Sequence, residues 1–480
     1  MTKPSGWQQV LFALLLCGAM AIAAHAQTFH SLMSFDGIDG GALSDSLVQG
    51  PDGSLFGTAA DGGAFGQGTV FKITPQGALT VVHSLGYTEG EGPIGALSLG
   101  TDGSFYGVTQ NGGTYACVLG CGTVFKVTPE GSFTTLHSFC SESAVCNDGG
   151  IPFGGLIQGF DKNFYGTASG GSYDDGVVFT ITPQGRLAIL HSFDGTDGAN
   201  PQTGLVLATD GEFYGTTTGG GANFDGTIFR IDPSGALRTL YSFCSYRSGN
   251  CPDGSQPTAG LVQGNDGNFY GTTYYGGDPN CNAPTGCGTV FKMTPAGTLT
   301  TLHTFELTDG ASSSSRLVQA TDGNLYGTTV WGGSASCDGG CGTVFAITLE
   351  GVLTTLHAFD LSDGEDPYGG LTQATNGSFY GTTAGGGTYF VGTAFSLDVG
   401  LGPFVSFVRS YGKVGQTGGI LGQGLTGTTS VLFNGTPASF TVVSDTFIRA
   451  TVPRGATTGF VTVTTPTGTL TSNVPFRVLP

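Results

Sequence analysis

Positive charge is scarce in this chain. Its 480 residues hold 15 Lys and Arg against 34 Asp and Glu, a formal charge of −19 at pH 7. Such an acidic surface repels phosphate backbones and anionic lipid headgroups, which excludes nucleic acid and a bare anionic membrane as partners. Helical patterning is missing too: no stretch of the repeat region sustains the apolar i, i+3, i+4, i+7 pattern of a helix. The apolar run Val10–Ala24 is short for a bilayer span, and no later segment is longer. It follows Lys3 and precedes Ala24-His25-Ala26, so residues 1–26 read as an export signal cleaved before Gln27. Removing it takes away Lys3 and no acid, moving the formal charge to −20.

What is abundant is glycine, 87 residues, arranged in a repeat. The clearest copy runs from Gly260 to Phe305. The aromatic-Gly step of its FYGTT core recurs at Phe56, Tyr106, Tyr165, Tyr214, Tyr270, Tyr326 and Tyr380. The GTVF element begins at Gly68, Gly122, Gly176, Gly226, Gly288, Gly342 and Gly392. The LHSF element places Met33, His83, His137, His191, Tyr241, His303 and His357 in register. A period of about 50 to 60 residues marks a repeat architecture.

Each copy contains four short runs rich in Val, Phe, Tyr, Thr and Leu, bounded by turn residues: 261–263, 269–273, 289–294 and 299–305 in the copy above. That is strand chemistry. Asn265-Asp266-Gly267-Asn268 and Pro295-Ala296-Gly297 supply hairpin turns. The expected fold is all-β, a seven-bladed β-propeller over residues 27–399 followed by a small immunoglobulin-like sandwich over 403–480. Residues 28–35 match the fourth strand of a repeat but precede the first full copy, and the seventh copy stops after Leu397 without one. The N-terminal strand is therefore expected to complete the last blade, pairing antiparallel with residues 392–398.

The motif LVQGxDGxFYGTTxxGGxxxxGTVFKITPxGxLTTLHSF resembles the GloVer tandem repeat of exported bacterial proteins. The resemblance spans about residues 28 to 398, implies a propeller and transfers no catalytic residue. A weaker likeness to streptogramin lyase-like propellers lies in the DGN-aromatic block and the ITPxG turn, but that family's catalytic His and metal-binding acids have no counterpart here. Residues 403–480 resemble an IPT/TIG domain through Gly424, the run Val431–Phe440, Ser444-Asp445-Thr446, the Ala450-Thr451-Val452-Pro453 corner and Phe476. That resemblance implies a spacer or protein-contact module.

Ten cysteines after the signal form five local pairs: Cys117/Cys121, Cys140/Cys146, Cys244/Cys251, Cys281/Cys287 and Cys337/Cys341. Pairs within single loops indicate disulfides in an oxidising compartment, hence a secreted, surface or periplasmic protein. They belong to different blades, which argues against a thiolate metal site.

No singular catalytic constellation is apparent. His83, His137, His191, His303 and His357 are copies of one position, which marks a packing or hydrogen-bonding role. The D-G-x-D-G acids Asp36, Asp39, Asp194 and Asp197 could hold Ca²⁺, although Asp-Gly is equally the chemistry of a tight turn. No other cofactor is expected. One aromatic lies near each glycine pair in the loop between the second and third strands: Phe65, Tyr115, Tyr173, Phe224, Tyr275, Trp331 and Tyr389. On one propeller face these rings would suit sugar stacking; alternatively each packs between blades. The leading function is an exported, non-catalytic binding or adhesion protein for carbohydrate or a cell-surface protein. A polysaccharide or lactone lyase or hydrolase at the channel mouth would need an unrepeated acid/base set, for which Glu89/Glu91, Asp174/Asp175 and Glu365/Asp366 are candidates. A purely structural surface repeat is the third reading.

Overall fold

A computed structural model describes residues 27–114, 121–140, 146–244, 251–334 and 336–480. The putting together of strands follows the repeat closely, and no helix occurs among the described residues. Seven four-stranded antiparallel sheets, each a simple meander, occupy residues 48–84, 91–138, 157–192, 206–242, 262–304, 318–358 and 372–398; they are numbered 1 to 7 below. In sheet 5 the strands are Val262–Gln263, Phe269–Thr273, Thr289–Met293 and Leu299–Thr304, within one residue of the sequence expectation. Sheet 7 takes its fourth strand from the other end of the described chain. Thr28–Ser34 pairs antiparallel with Thr393–Asp398, from Thr28 opposite Asp398 to Ser34 opposite Thr393.

Adjacent residues of a strand point to opposite faces, and this explains the aromatic dipeptide of the second strand, whose first member is leucine in sheets 1 and 6. Its first ring packs back onto the preceding sheet and its second forward onto the next. Tyr106 stacks on Phe164 at 3.9 Å, Tyr165 on Phe213 at 4.0 Å, Tyr214 on Phe269 at 4.1 Å and Tyr326 on Phe379 at 4.2 Å. The apolar core is accordingly divided among the gaps between sheets. One cluster joins sheets 1 and 2 through Phe56 and Phe105, and the series continues to a cluster joining sheets 7 and 1 through Tyr380, Leu47 and Leu55. The packing is cyclic and propeller-like.

Backbone bonds run the same way round. The N–H of Asn200 donates to Asp175 O at 2.7 Å, Gln256 to Asp225 O at 2.9 Å, Ser312 to Cys287 O at 2.8 Å and Ala42 to Val391 O at 3.2 Å. Each donor has a left-handed φ of 50–55° despite its side chain. That strain is tolerated because the bond ties one sheet to the next. The next residue is often proline, and it explains the glycine that opens GTVF. A Cβ on Gly226 would lie 2.7 Å from Pro257 of the following sheet, at a φ of +98°.

Residues beyond 403 form two further four-stranded sheets and a short parallel pair, Tyr411–Lys413 with Arg477–Leu479. The two sheets share one core containing Ile420, Ile448, Val431, Phe433, Val461 and Phe476. This unit lies against the turns between first and second strands. Tyr411 Oη donates to the carbonyls of Gln158 and Gly159 at 3.0 and 2.8 Å, Thr446 Oγ1 donates to Pro51 O at 2.7 Å, and Phe404 N–H donates to Thr375 O at 3.1 Å. In a meander the loops between second and third strands emerge at the other end. One face of the sheet array is covered, and among the described residues nothing packs over the opposite face.

Candidate functional site: the free loop face and the central channel

The repeated histidines are turn anchors. Nε2 lies 2.7–3.1 Å from a carboxylate in the five pairs His83–Glu89, His137–Asp148, His191–Asp197, His303–Asp309 and His357–Asp363. Tyr241 replaces histidine in sheet 4 and donates to Asp253 at 2.7 Å. The same carboxylates accept backbone bonds that close the following turn, as Asp309 Oδ1 does from Glu306 N at 2.9 Å. Glu89, although its type is unrepeated, fills this common role.

The D-G-x-D-G acids are engaged in turns. Asp36 Oδ1 accepts from Ile38 N at 2.8 Å and Asp39 N at 3.1 Å, and Asp39 Oδ1 accepts from Asp36 N at 2.9 Å. Asp194 and Asp197 repeat the arrangement, with Asp197 Oδ2 on His191 at 2.7 Å. Hydrogen bonds hold Asp36 and Asp194 below the usual carboxylate range, led at Asp36 by the backbone N–H of Asp39 and at Asp194 by the Thr196 hydroxyl. Turn bonding accounts for these residues without an ion.

Four disulfides lie wholly among the described residues: Cys140–Cys146, Cys244–Cys251, Cys281–Cys287 and Cys337–Cys341. Cys121 is also disulfide-bonded, and its expected partner Cys117 lies outside the described residues. Two groups have metal-like proximity, Cys121/Cys140/Cys146 and Asp225/Cys244/Cys251. Their cysteines are oxidised to disulfides, so they offer no thiolates to an ion.

The structure divides the aromatics into two sets. Phe65, Tyr173, Phe224 and Tyr389 stand at loop tips and are 58–81% exposed, joined by Phe390 at 69%. Tyr275 and Trp331 instead precede their glycine pair and form isolated bridges with Ser255 and Ala311. Both are half-buried, and Trp331 packs on the core between sheets 5 and 6. Tyr274 sits between them, 4.8 Å from the Tyr275 ring and 6.0 Å from Trp331. Burial, with Tyr368 and Tyr275 nearby, pushes the Tyr274 phenol up to about 12. Tyr275 also lines a surface pocket of about 280 Å³ with Asp225, Gln256 and Thr285. Tyr115 lies outside the described residues.

Sequence reasoning anticipated a channel mouth but missed the residues of the channel wall. The segments around the seven first strands enclose a cavity of about 460 Å³, approached at one end by Ser406–Val408 of the C-terminal unit. At the wall position before each first-strand leucine stand Ser46, Ala96, Gly155, Gly204, Gly260, Arg316 and Gly370. Six are small and one is cationic. Asp45, one residue earlier in sheet 1, is the only acid on the wall. Its Oδ2 is buried without a hydrogen-bond partner, and burial pushes its carboxyl up to about 7. The signal was available as a break in the repeat at 45 and 316.

The profile of the Gloeobacter/Verrucomicrobia repeat matches residues 18–167, 120–282 and 247–442. The chain belongs to that repeat family. A comparison with curated proteins gives no match. Among solved structures, a fungal alcohol oxidase of the AA5 family in complex with copper aligns over 95% of this chain and 100% of its own, with 12% identity and a TM-score of 0.53. The Niastella koreensis GH74 enzyme aligns over 91% and 65%, with 13% identity and a TM-score of 0.48. The extracellular domain of a hybrid two-component system from B. thetaiotaomicron aligns over 91% and 52%, with 11% identity and a TM-score of 0.47. At these identities the repeat family shares with the oxidase an all-β fold and nothing more specific. Among the described residues, no helix is long and apolar enough to cross a membrane. The four disulfides fit an extracellular or periplasmic setting.

Proposed function

We propose that this chain is an exported, non-catalytic binding protein. In this reading residues 1–26 are the signal, 27–399 a seven-bladed propeller closed by Thr28–Ser34, and 403–480 an IPT/TIG immunoglobulin-like unit that spaces or docks it. The cyclic packing of seven sheets supports the propeller, and the two-sheet core around Phe433 and Phe476 supports the sandwich. The ligand face is the one opposite the C-terminal unit.

The observation that carries this reading is the set of exposed rings on that face, Phe65, Tyr173, Phe224 and Tyr389, beside the pocket lined by Tyr275. Solvent-exposed rings are costly to leave unpartnered and suit the apolar faces of sugars, while the pocket's Gln256 and Asp225 supply polar contacts. Carbohydrate is therefore preferred to a cell-surface protein as ligand. A glycan array probed with the oxidised 27–480 protein, and with Phe65, Tyr173, Phe224 and Tyr389 changed together to alanine, tests it. A glycan bound by the native chain and lost in the variant, with unchanged unfolding midpoint, is expected. Equal binding by both proteins, or no glycan bound, overturns the carbohydrate reading.

A further inference from the structure

The chain is strongly acidic, yet its internal cavities are not. The channel wall carries Arg316 and a single acid, Asp45. A second cavity of about 310 Å³ shares Ser98, Leu99, Ile157 and Ser406–Val408 with it and adds Arg409 and Arg477 but no acid. Three of the 15 basic residues thus line connected space that holds one of the 34 acids. Arg477 Nη1 is buried without a partner, as is Asn473 Oδ1 beside it on the wall of the second cavity.

Arg316 has no structural work to do. Among the described residues it makes no ion pair or side-chain hydrogen bond, and Asp45 does not reach it. Glycine, alanine or serine fills its place in the other six sheets. Its side chain leans across the channel towards sheet 5, where a Cβ on Gly260 would lie 3.8 Å from Arg316 Cδ. The side chain is exposed to the water of the channel, and the surrounding protein lowers the guanidinium pKa by desolvation with no acid beside it to offset the shift.

We infer that the channel binds a sugar acid of monosaccharide size, its carboxylate held by the guanidinium of Arg316. A guanidinium presents a planar fork that matches a carboxylate with two parallel N–H···O bonds. Serine, threonine and glutamine around it, at Ser46, Gln202, Thr258 and Ser314, offer hydroxyl and amide partners to a polyhydroxylated body. The cavity volume is in the range of small-molecule sites. The site is distinct from the exposed rings of the free face, and neither reading depends on the other.

Isothermal titration of the oxidised 27–480 protein with D-galacturonate, D-galactose and inorganic phosphate tests the assignment. The acid is expected to bind, with galactose and phosphate each at least tenfold weaker. Arg316→Gly installs the residue found at four equivalent positions, so the fold is expected to survive while galacturonate affinity falls at least tenfold. Arg316→Lys keeps the charge without the fork and is expected to fall between the two. Ala96→Leu fills the channel from a wall position that already carries a Cβ, and is expected to abolish binding with the arginine intact. Galacturonate binding unchanged in Arg316→Gly, or no binding by the native chain at millimolar concentration, overturns the proposal. Phosphate bound as tightly as galacturonate overturns its sugar-acid part, leaving a bare oxyanion site.

Discussion

Replacing Asp45 by threonine should make the protein more stable, and increasingly so above mildly acidic pH. In sheet 4 the equivalent position is Thr203, whose hydroxyl meets that of Thr216 at 2.9 Å. In sheet 1 the counterparts are Asp45 and Thr58, and both Asp45 Oδ2 and Thr58 Oγ1 are buried with no partner. Burial raises the Asp45 carboxyl from 3.8 to about 7, opposed by weaker bonds from Gly95 and Ser44. The folded state then holds its proton over a range where the unfolded chain has released it. Below about pH 4 both states are protonated and the residue costs nothing electrostatically; as pH rises towards 7 the folded state loses stability relative to the unfolded one. A shift of that size caps the loss at about 4 kcal/mol, and partial contact of the side chain with channel water reduces it to roughly 1–3 kcal/mol. Asp45→Thr removes this dependence and adds a hydroxyl pair worth about 1 kcal/mol. Urea unfolding at pH 4, 6 and 8, followed by Trp331 fluorescence, measures it. The variant should gain on the native chain between pH 4 and 8. A stability difference that is flat with pH, or a variant less stable at pH 8, would refute the reasoning.

Three further outcomes follow from the sheet architecture. His303→Tyr should be tolerated because Tyr241 makes the same carboxylate contact in sheet 4; His303→Leu should lower stability by about 1–2 kcal/mol by leaving Asp309 without its side-chain partner, read as a loss in unfolding midpoint. Phe29 stacks on His357 at 3.6 Å and on Phe395 at 5.4 Å, so Phe29→Ala should cost about 2–4 kcal/mol in denaturant unfolding. Deleting residues 28–34 should expose the edge of Thr393–Asp398 and produce aggregates on size exclusion that the native chain does not form; a truncated chain eluting as the native chain does would show that closure by this strand is dispensable.

The strands were legible because every copy repeats the same alternation, and seven copies average out local accidents of composition. The Thr28–Ser34 pairing was legible for a related reason: one fourth-strand motif stands where no repeat needs it, and one repeat lacks it. The histidines could be read as structural from their recurrence alone, before any carboxylate was seen beside them. Contacts between copies were harder. Nothing in Ala42, Asn200, Gln256 or Ser312 announces a left-handed backbone, since that conformation is imposed by a bond to the neighbouring sheet rather than by the residue itself. The aromatics were grouped by closeness to a glycine pair, but a residue before the pair lies in the bridged ladder and one two or three after it stands at a loop tip. Tyr275 and Trp331 therefore part from Phe65, Tyr173, Phe224 and Tyr389.

Asp45 and Arg316 show why the chemistry of the channel wall stayed hidden. They lie 271 positions apart and meet one cavity only when sheets 1, 6 and 7 are brought round a common axis. Regularity is what the fold requires, because each gap between sheets needs the same rings, the same glycine and the same turn acids. A residue that breaks the register at a wall position gains nothing for that packing. Glycine serves at four of the seven such positions, so the arginine at the sixth is free to answer to a ligand instead. In a repeat protein the copies describe the scaffold, and the exceptions are where recognition chemistry should be sought.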